Sequence, residues 1–178
     1  MPANYNKIIL VQPDDHKIGV IEKIKGHRFG MLHRAFSVLI FRKKNGVLET
    51  LLQQRSRKKY HGGGLWTNAC CSHPQPGEPI LKSAQTRLEQ EMGIRTKLKK
   101  VGKFHYIAKL DHDMTENEID HVFVGTYDFD HMNVNDNEVD DYRWVDVRKL
   151  KKDLTTHNKK YTPWLKQALE IALKHYRA

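Results

Sequence analysis

Cysteine is rare in this sequence, and long apolar segments are absent. The two cysteines, Cys70 and Cys71, are neighbours, and a bridge between adjacent residues is geometrically unfavourable and closes almost no loop. The longest apolar run, residues 36–41, falls far short of the roughly 20 residues that span a bilayer. The first residues also lack the charged and apolar pattern of a secretory signal. We therefore expect a cytoplasmic protein without disulfide bonds or membrane segments.

Sequence repeats, low-complexity tracts and linkers rich in Pro, Gly or Ser are also absent. We expect residues 1–178 to form one domain, because this length lies within the usual range for a single hydrophobic core. Lys and Arg number 31 against 21 Asp and Glu, which gives a net charge of +10. This excess indicates anionic partners, but it does not distinguish nucleic acid, lipid headgroups and small phosphates.

The sequence pattern predicts a mixed α+β architecture. Asn45-Gly46 separates two strand-forming runs, and this dipeptide is typical of a tight β-hairpin. Pro79 and Gly93 bound an amphipathic segment, as expected for the first turn and the left-handed end of a helix. The predicted strands are 34–41, 47–54, 118–127 and 142–147, and the predicted helices are 79–92 and one that follows Thr162-Pro163.

Residues 62–74 combine three glycines, an aromatic side chain, two thiols and an imidazole. A thiol beside a cation or a metal has a lowered pKa and can act as a base or nucleophile at neutral pH. The alternative is that both cysteines pack in the core and His73 caps a turn. Composition alone leaves both interpretations open.

Two histidines and two glutamates form a candidate metal site. His27 and His33 carry imidazoles, which are common metal ligands. Glu116 and Glu118 stand two apart in a predicted strand, so both carboxylates point to one face. Like charges at that distance repel unless a cation lies between them. With His73 these residues could form a mixed N/O shell, although a chance pair of histidines and a solvated acidic strand edge are the alternatives.

Three segments resemble the signature segments of type I isopentenyl-diphosphate isomerases. They are residues 32–37, 65–74 and 116–118, and their order and spacing also match. Together with Arg55, Lys59, Tyr106 and the tail at 162–164, the resemblance runs from about residue 8 to residue 173. It implies a Nudix-like α/β/α sandwich with a mixed sheet.

The segment that resembles a Nudix box, residues 77–94, is degenerate. Thr86-Arg87 and Gln90-Glu91 stand where the hydrolases have Arg-Glu and Glu-Glu ahead of the closing glycine. Only Glu91 keeps a carboxylate suited to a metal ion, which argues against hydrolysis of a pyrophosphate and fits the isomerases.

The resemblance also implies a set of site residues. One divalent transition metal, Mn²⁺ or Zn²⁺ with Mg²⁺ as a further candidate, would be bound by His27, His33, His73, Glu116 and Glu118. A second ion, Mg²⁺, would accompany the substrate diphosphate, and Glu91 would help to bind it. The catalytic residues would be Cys71, Glu118 and Tyr106, and the substrate-binding residues Lys23, Arg55, Lys59, Arg87 and Trp164. Cys70 would only pack, and the direction of proton transfer between Cys71 and Glu118 stays open.

The implied reaction is the isomerisation of isopentenyl diphosphate to dimethylallyl diphosphate in isoprenoid biosynthesis, through protonation, a tertiary carbocation and deprotonation. The implied partner is a small diphosphate rather than nucleic acid or a membrane, and the implied state is a monomer or weak homodimer. A Nudix hydrolase acting on a nucleoside diphosphate is the first alternative, disfavoured by the degenerate box. A basic nucleic-acid-binding module with a structural zinc is the second, disfavoured because no aromatic-rich RNA motif and no paired Cys-x-x-Cys occur.

Overall fold

The computed structural model describes residues 6–176, in which nine strands form one mixed sheet. The strands are β1 Lys7–Val11, β2 Lys17–Glu22, β3 His33–Lys44, β4 Val47–Arg55, β5 Trp66–Asn68, β6 Cys70–Ser72, β7 Lys99–Lys109, β8 Thr115–Thr126 and β9 Val139–Asp146. The α-helices are α1 Lys23–Arg28, α2 Ile80–Met92, α3 Val147–Thr156 and α4 Leu165–Tyr176, and a 3₁₀ turn covers Asn158–Lys160. Among the described residues, no helix is long and apolar enough to cross a membrane.

Strand β3 organises the sheet. It pairs in parallel with β8 along most of its length and antiparallel with β4, β6 and the end of β1. The predicted hairpin of β3 and β4 is confirmed, with Lys44 opposite Val47. Asn45 and Gly46 both have positive φ, 50° and 78°, as the type I′ hairpin turn requires. Because β6 and β8 lie on opposite edges of β3, side chains from both can meet over one face.

Helices cover both faces of the sheet, so the predicted α/β/α sandwich is confirmed. Alternate residues of β3 point to opposite faces: Val38 and Ile40 pack towards α2, whereas Leu39 and Phe41 pack towards α4. Helix α2 begins and ends within one residue of its prediction, and Gly93 at φ 68° closes it in the left-handed conformation.

The C-terminal helix begins at Leu165, shortly after the predicted Thr162-Pro163 start. Thr162 places its hydroxyl 2.8 Å from the Thr67 hydroxyl. Its backbone N–H also donates to Trp66 O at 3.0 Å. These two bonds attach the start of α4 to β5, next to the cysteine pair.

Candidate active site and metal centre

Four chain segments bring five ligand atoms together at one end of β3. His33 opens β3 and lies opposite Glu118 in the parallel pairing with β8. Glu116 lies two residues earlier on β8, and His73 directly follows β6. Helix α1 delivers His27; it approaches β1 closely at Gly26, where an added Cβ would lie 2.4 Å from Ile8 Cδ1. The ligand atoms of His27, His33, His73, Glu116 and Glu118 all lie within 4.8 Å of one another.

Backbone carbonyls set the tautomers of two of these histidines. His27 Nδ1 lies 2.7 Å from Lys23 O, and His33 Nδ1 lies 2.7 Å from Met31 O. A carbonyl oxygen only accepts, so each Nδ1 must carry the proton and donate it. In the neutral rings both Nε2 atoms therefore present lone pairs to the cluster, as in metal-binding histidines.

The donor atoms fit a divalent cation. His27 Nε2 lies 3.1 Å from Glu116 Oε2, yet neither atom has a hydrogen-bond partner among residues 6–176. Burial lowers the pKa of the His27 imidazole, but the Glu116 carboxylate raises it above its usual value. The surroundings of His27 therefore favour a positive charge. Three imidazole nitrogens and two carboxylate oxygens form a donor set that suits Zn²⁺ or Mn²⁺.

The protonation states also favour metal binding. Burial lowers the pKa of the His73 imidazole to about 3, which keeps its lone pair available. Burial opposes ionisation of Glu116 and Glu118, but hydrogen bonds from neighbouring imidazoles hold the pKa of each carboxyl below its usual value. Two ionised carboxylates at this buried place carry a negative charge that a divalent ion would neutralise.

The cluster borders a cavity of about 380 Å³. Cys71, Glu118 and Trp164 line it on the α4 side of the sheet. Its basic lining residues are Lys23, Arg55, Lys58, Lys59 and Arg87. This cavity thus combines a thiol, a carboxylate, an aromatic ring and a group of cations.

The two cysteines point to opposite faces because they are consecutive on β6. Cys70 is fully buried among core residues that pack against α2, whereas Cys71 reaches the cavity. The sequence left the state of the thiol open. Burial raises the pKa of Cys71 to about 11, even though Arg55 Nη1 lies 3.5 Å from its sulfur.

Glu118 belongs to the group of five ligand residues and also contacts Tyr106, which stands next to Trp164. Its Oε1 is 3.2 Å from His33 Nε2 and 2.9 Å from His73 Nε2, whereas Oε2 accepts a 2.6 Å hydrogen bond from the Tyr106 hydroxyl. Burial and Glu118 raise the pKa of Tyr106 well above its usual value, so this phenol remains a donor. The Tyr106 and Trp164 rings lie 6.0 Å apart.

A glycine-rich loop holds Arg55 in place. Arg55 Nε donates to Gly62 O at 3.1 Å, and Nη2 donates to His61 O at 3.0 Å. Gly62 has φ 58°, and a Cβ on Gly63 would lie 3.1 Å from the Arg57 backbone. Glycine is therefore required where the loop closes on this guanidinium, whose Cζ lies 5.7 Å from the Trp164 ring centroid.

Glu138 joins the cations and was not anticipated from the sequence. Its carboxylate accepts from Lys59 Nζ at 2.6 Å and from Arg87 Nη2 at 3.0 Å. Burial opposes ionisation, but these two cations lower the pKa of Glu138 to about 2. Glu91 is outside the five-atom ligand group; it accepts from Arg87 at 2.6 Å and from Gln53 at 2.9 Å.

His61 is a further buried imidazole at the site that sequence reasoning missed. It is 3% exposed, and its Nε2 lies 3.0 Å from Glu116 Oε1. The resemblance gave no signal for it, and it directly precedes the three glycines of residues 62–64. The neighbouring Tyr60 ring lies under Lys23, with Nζ 4.7 Å from the ring centroid.

Comparison with known proteins gives one consistent result. The model of the NUDIX domain family matches residues 31–165. The "Isopentenyl-diphosphate Delta-isomerase 2" of Photorhabdus laumondii is 43% identical over 91% of this chain and 89% of its own length. The "Isopentenyl-diphosphate Delta-isomerase" of Serratia proteamaculans is 42% identical over 88% and 86%, respectively. Among solved structures, DR0079 from Deinococcus radiodurans superposes with a TM-score of 0.74 over 92% of this chain and 97% of its own, and its 14% identity supports the fold alone.

Proposed function

The chain belongs to the isopentenyl-diphosphate Delta-isomerases of the NUDIX domain family, and we propose that it converts isopentenyl diphosphate to dimethylallyl diphosphate with the site described above. One observation carries the assignment of residues. Cys71 and Glu118 come from strands on opposite edges of β3, yet both line a single cavity that also holds Trp164 and several cations.

The reaction needs two proton transfers. One proton is added to the terminal carbon of the double bond, and another is removed from the chain carbon on the far side of the resulting cation. Cys71 Sγ and a Glu118 carboxylate oxygen are the two proton-bearing atoms that we assign to these steps. Tyr106 is bonded to Glu118 Oε2 and orients that oxygen.

The intermediate is a tertiary carbocation, which requires stabilisation and the exclusion of water. Trp164 is 4% exposed and lines the cavity. A desolvated aromatic face stabilises a cation by about 2 kcal/mol. We assign this role to Trp164, and we expect the bound hydrocarbon to fill the space where water would otherwise trap the cation.

The diphosphate is the binding handle in this proposal. Lys23, Arg55, Lys59 and Arg87 supply the positive charge, and charge-assisted hydrogen bonds to phosphate oxygens are among the strongest in proteins. Binding energy from this remote group positions the small apolar tail against the reacting side chains. Mg²⁺ would accompany the diphosphate, and Glu91, which accepts a hydrogen bond from Arg87, would help to bind this ion.

The ligand group would hold one divalent ion, Mn²⁺ or Zn²⁺ by its donor set, with Mg²⁺ as the further candidate. When bound, the ion would neutralise the two buried carboxylates and fix the orientation of Glu118. A single domain over residues 1–178, a monomer or weak homodimer, a cytoplasmic location and the absence of nucleic-acid binding stay predictions.

The test is direct conversion. Purified protein with Mg²⁺ and either Mn²⁺ or Zn²⁺ is incubated with isopentenyl diphosphate, and the mixture is analysed for dimethylallyl diphosphate and for released phosphate. We expect the isomer without phosphate release. Phosphate release from nucleoside diphosphates, with no isomer under any of these metals, would favour the hydrolase alternative and contradict the proposal.

A further inference from the structure

His61 occupies a distinctive place in the site. It belongs to the loop between β4 and β5, and its ring packs against two neighbours, with centroids 5.4 Å from His27 and 4.1 Å from Tyr60. Neither ring nitrogen has a hydrogen-bond partner of good geometry within residues 6–176. A buried imidazole nitrogen without such a partner is costly, so a ring in this position calls for an explanation.

The two carboxylate oxygens of Glu116 have different neighbours. Its Oε2 faces the ligand group, 3.1 Å from His27 Nε2 and 3.8 Å from His33 Nε2. Its Oε1 faces away from these atoms and lies 3.0 Å from His61 Nε2. A contact on one oxygen limits rotation of the carboxylate and thereby determines where the other oxygen points.

His61 itself stands outside the group of five ligand atoms that lie within 4.8 Å of one another. Carboxylates that bind metals are commonly oriented by such outer contacts, whose loss weakens metal affinity about 10- to 100-fold. We propose that His61 is a positioning residue, whose Nε2–H, placed 3.0 Å from Glu116 Oε1, aligns into a hydrogen bond with that oxygen when Oε2 binds the metal. This inference rests on the metal group of the proposed function, but not on the isomerase reaction.

The same residue also touches the diphosphate side of the site through its backbone. The His61 carbonyl accepts a 3.0 Å hydrogen bond from Arg55 Nη2. A side-chain substitution keeps this carbonyl and with it the position of Arg55. A variant at position 61 should therefore lower metal affinity and, at subsaturating metal, kcat, while the KM for isopentenyl diphosphate changes little.

The test compares His61→Ala, His61→Gln and His61→Asn. The amide nitrogen of Gln reaches the position of Nε2, whereas that of Asn reaches the position of Nδ1, so only Gln keeps a donor towards Glu116. Zn²⁺ and Co²⁺ dissociation constants are measured by competition with a chelator, and the visible absorption of the Co²⁺ form reports the coordination. We expect about 10- to 100-fold weaker binding for Ala and Asn, recovery to within a few-fold for Gln, and one ion per chain at saturation throughout.

A matched control is His121→Asn. His121 is also buried and lies 2.9 Å from a carboxylate oxygen, that of Asp15, but it points to the other face of β8 from Glu118 and Asp120. Its removal should leave the metal dissociation constant unchanged. If His121→Asn weakened metal binding as much as the His61 variants, the effect would come from lost stability, and the proposal would be overturned.

Wild-type metal affinity in both the Ala and Asn variants would also overturn it. So would a Co²⁺ spectrum that shows one nitrogen ligand fewer in His61→Ala, because His61 would then be a ligand. If the Ala variant does not fold, the contrast between Gln and Asn decides. Normal metal binding by the wild-type protein without isomerase turnover would contradict the proposed function and leave the inference about His61 standing.

Discussion

The hydrogen bond from Tyr106 to Glu118 offers a quantitative test of the proposed proton transfer. Tyr106→Phe removes one hydroxyl and leaves the ring beside Trp164. The lost bond is short, 2.6 Å, and ends on a buried carboxylate oxygen. A hydrogen bond to a charged group contributes about 1.5–3 kcal/mol, and about 1.4 kcal/mol corresponds to a tenfold change in rate. We expect kcat to fall about 10- to 150-fold.

Binding should be retained in this variant. In the proposed metal site Glu118 would bind through Oε1, which lies beside His33 and His73, whereas Tyr106 bonds to Oε2. The Tyr106 hydroxyl has one proton, and it donates that proton to Glu118 rather than to the diphosphate. We therefore expect one metal ion per chain and a KM for isopentenyl diphosphate close to that of the wild type.

The assay is steady-state conversion of isopentenyl diphosphate with elemental analysis of the same preparation. Tyr161→Phe is the matched control, because Tyr161 also donates to a carboxylate, Asp153, at 2.5 Å but lies outside the cavity that holds Cys71. It should turn over at the wild-type rate. A Tyr106→Phe variant that keeps the wild-type kcat, or one that loses its metal ion, would refute the role assigned to the hydroxyl.

The other predictions concern the thiols, the aromatic wall and a buried histidine away from the site. Cys71→Ala should lower turnover by on the order of 10²-fold or more, whereas Cys70→Ala should retain most activity and lose only some stability in urea; the reverse pattern would show that the wrong thiol was chosen. Trp164→Leu should lower kcat about 30-fold, from the loss of about 2 kcal/mol of cation stabilisation, and an unchanged kcat would exclude this role. Burial lowers the pKa of His121 from 6.5 to about 4, so the unfolded chain binds more protons between these values; as the pH falls from 6.5 to 4, the free energy of unfolding should decrease by up to about 1.4 kcal/mol per pH unit. The contribution of the neutral His121 imidazole to stability is fully present above pH 6.5. The difference in urea midpoint between wild type and His121→Asn should therefore change with pH below 6.5. A difference that does not change would show that this pKa is wrong.

Local sequence signals predicted the elements that carry strong turn or cap chemistry. The β3–β4 hairpin follows from Asn45-Gly46, which both need positive φ, and the end of α2 follows from Gly93. Strand β7 was not predicted, because cationic side chains alternate with a few apolar ones and Gly102 lies at a break in its register. Strands β5 and β6 span three residues each, too few for a periodic pattern.

Some residues of the site could likewise be predicted from the sequence, whereas others could not. The resemblance supplied the five ligand residues, and the structure brings their ligand atoms within 4.8 Å. His61 and Glu138 are absent from the motifs, because each acts on a partner distant in sequence and only the folded chain reveals that contact. The state of Cys71 was left open by the sequence, because the burial that raises the pKa of this thiol depends on the fold.

The most direct test of the account follows the protons themselves. Isopentenyl diphosphate is incubated with the metal-loaded protein in deuterium oxide, and the product is analysed by NMR at low conversion. Because the proton added to the terminal carbon comes from an exchangeable side chain, we predict dimethylallyl diphosphate with one deuterium in a methyl group, formed more slowly by Cys71→Ala, by on the order of 10²-fold or more. Product without solvent deuterium in its methyl groups, or cleavage of the diphosphate in place of isomerisation, would contradict the account.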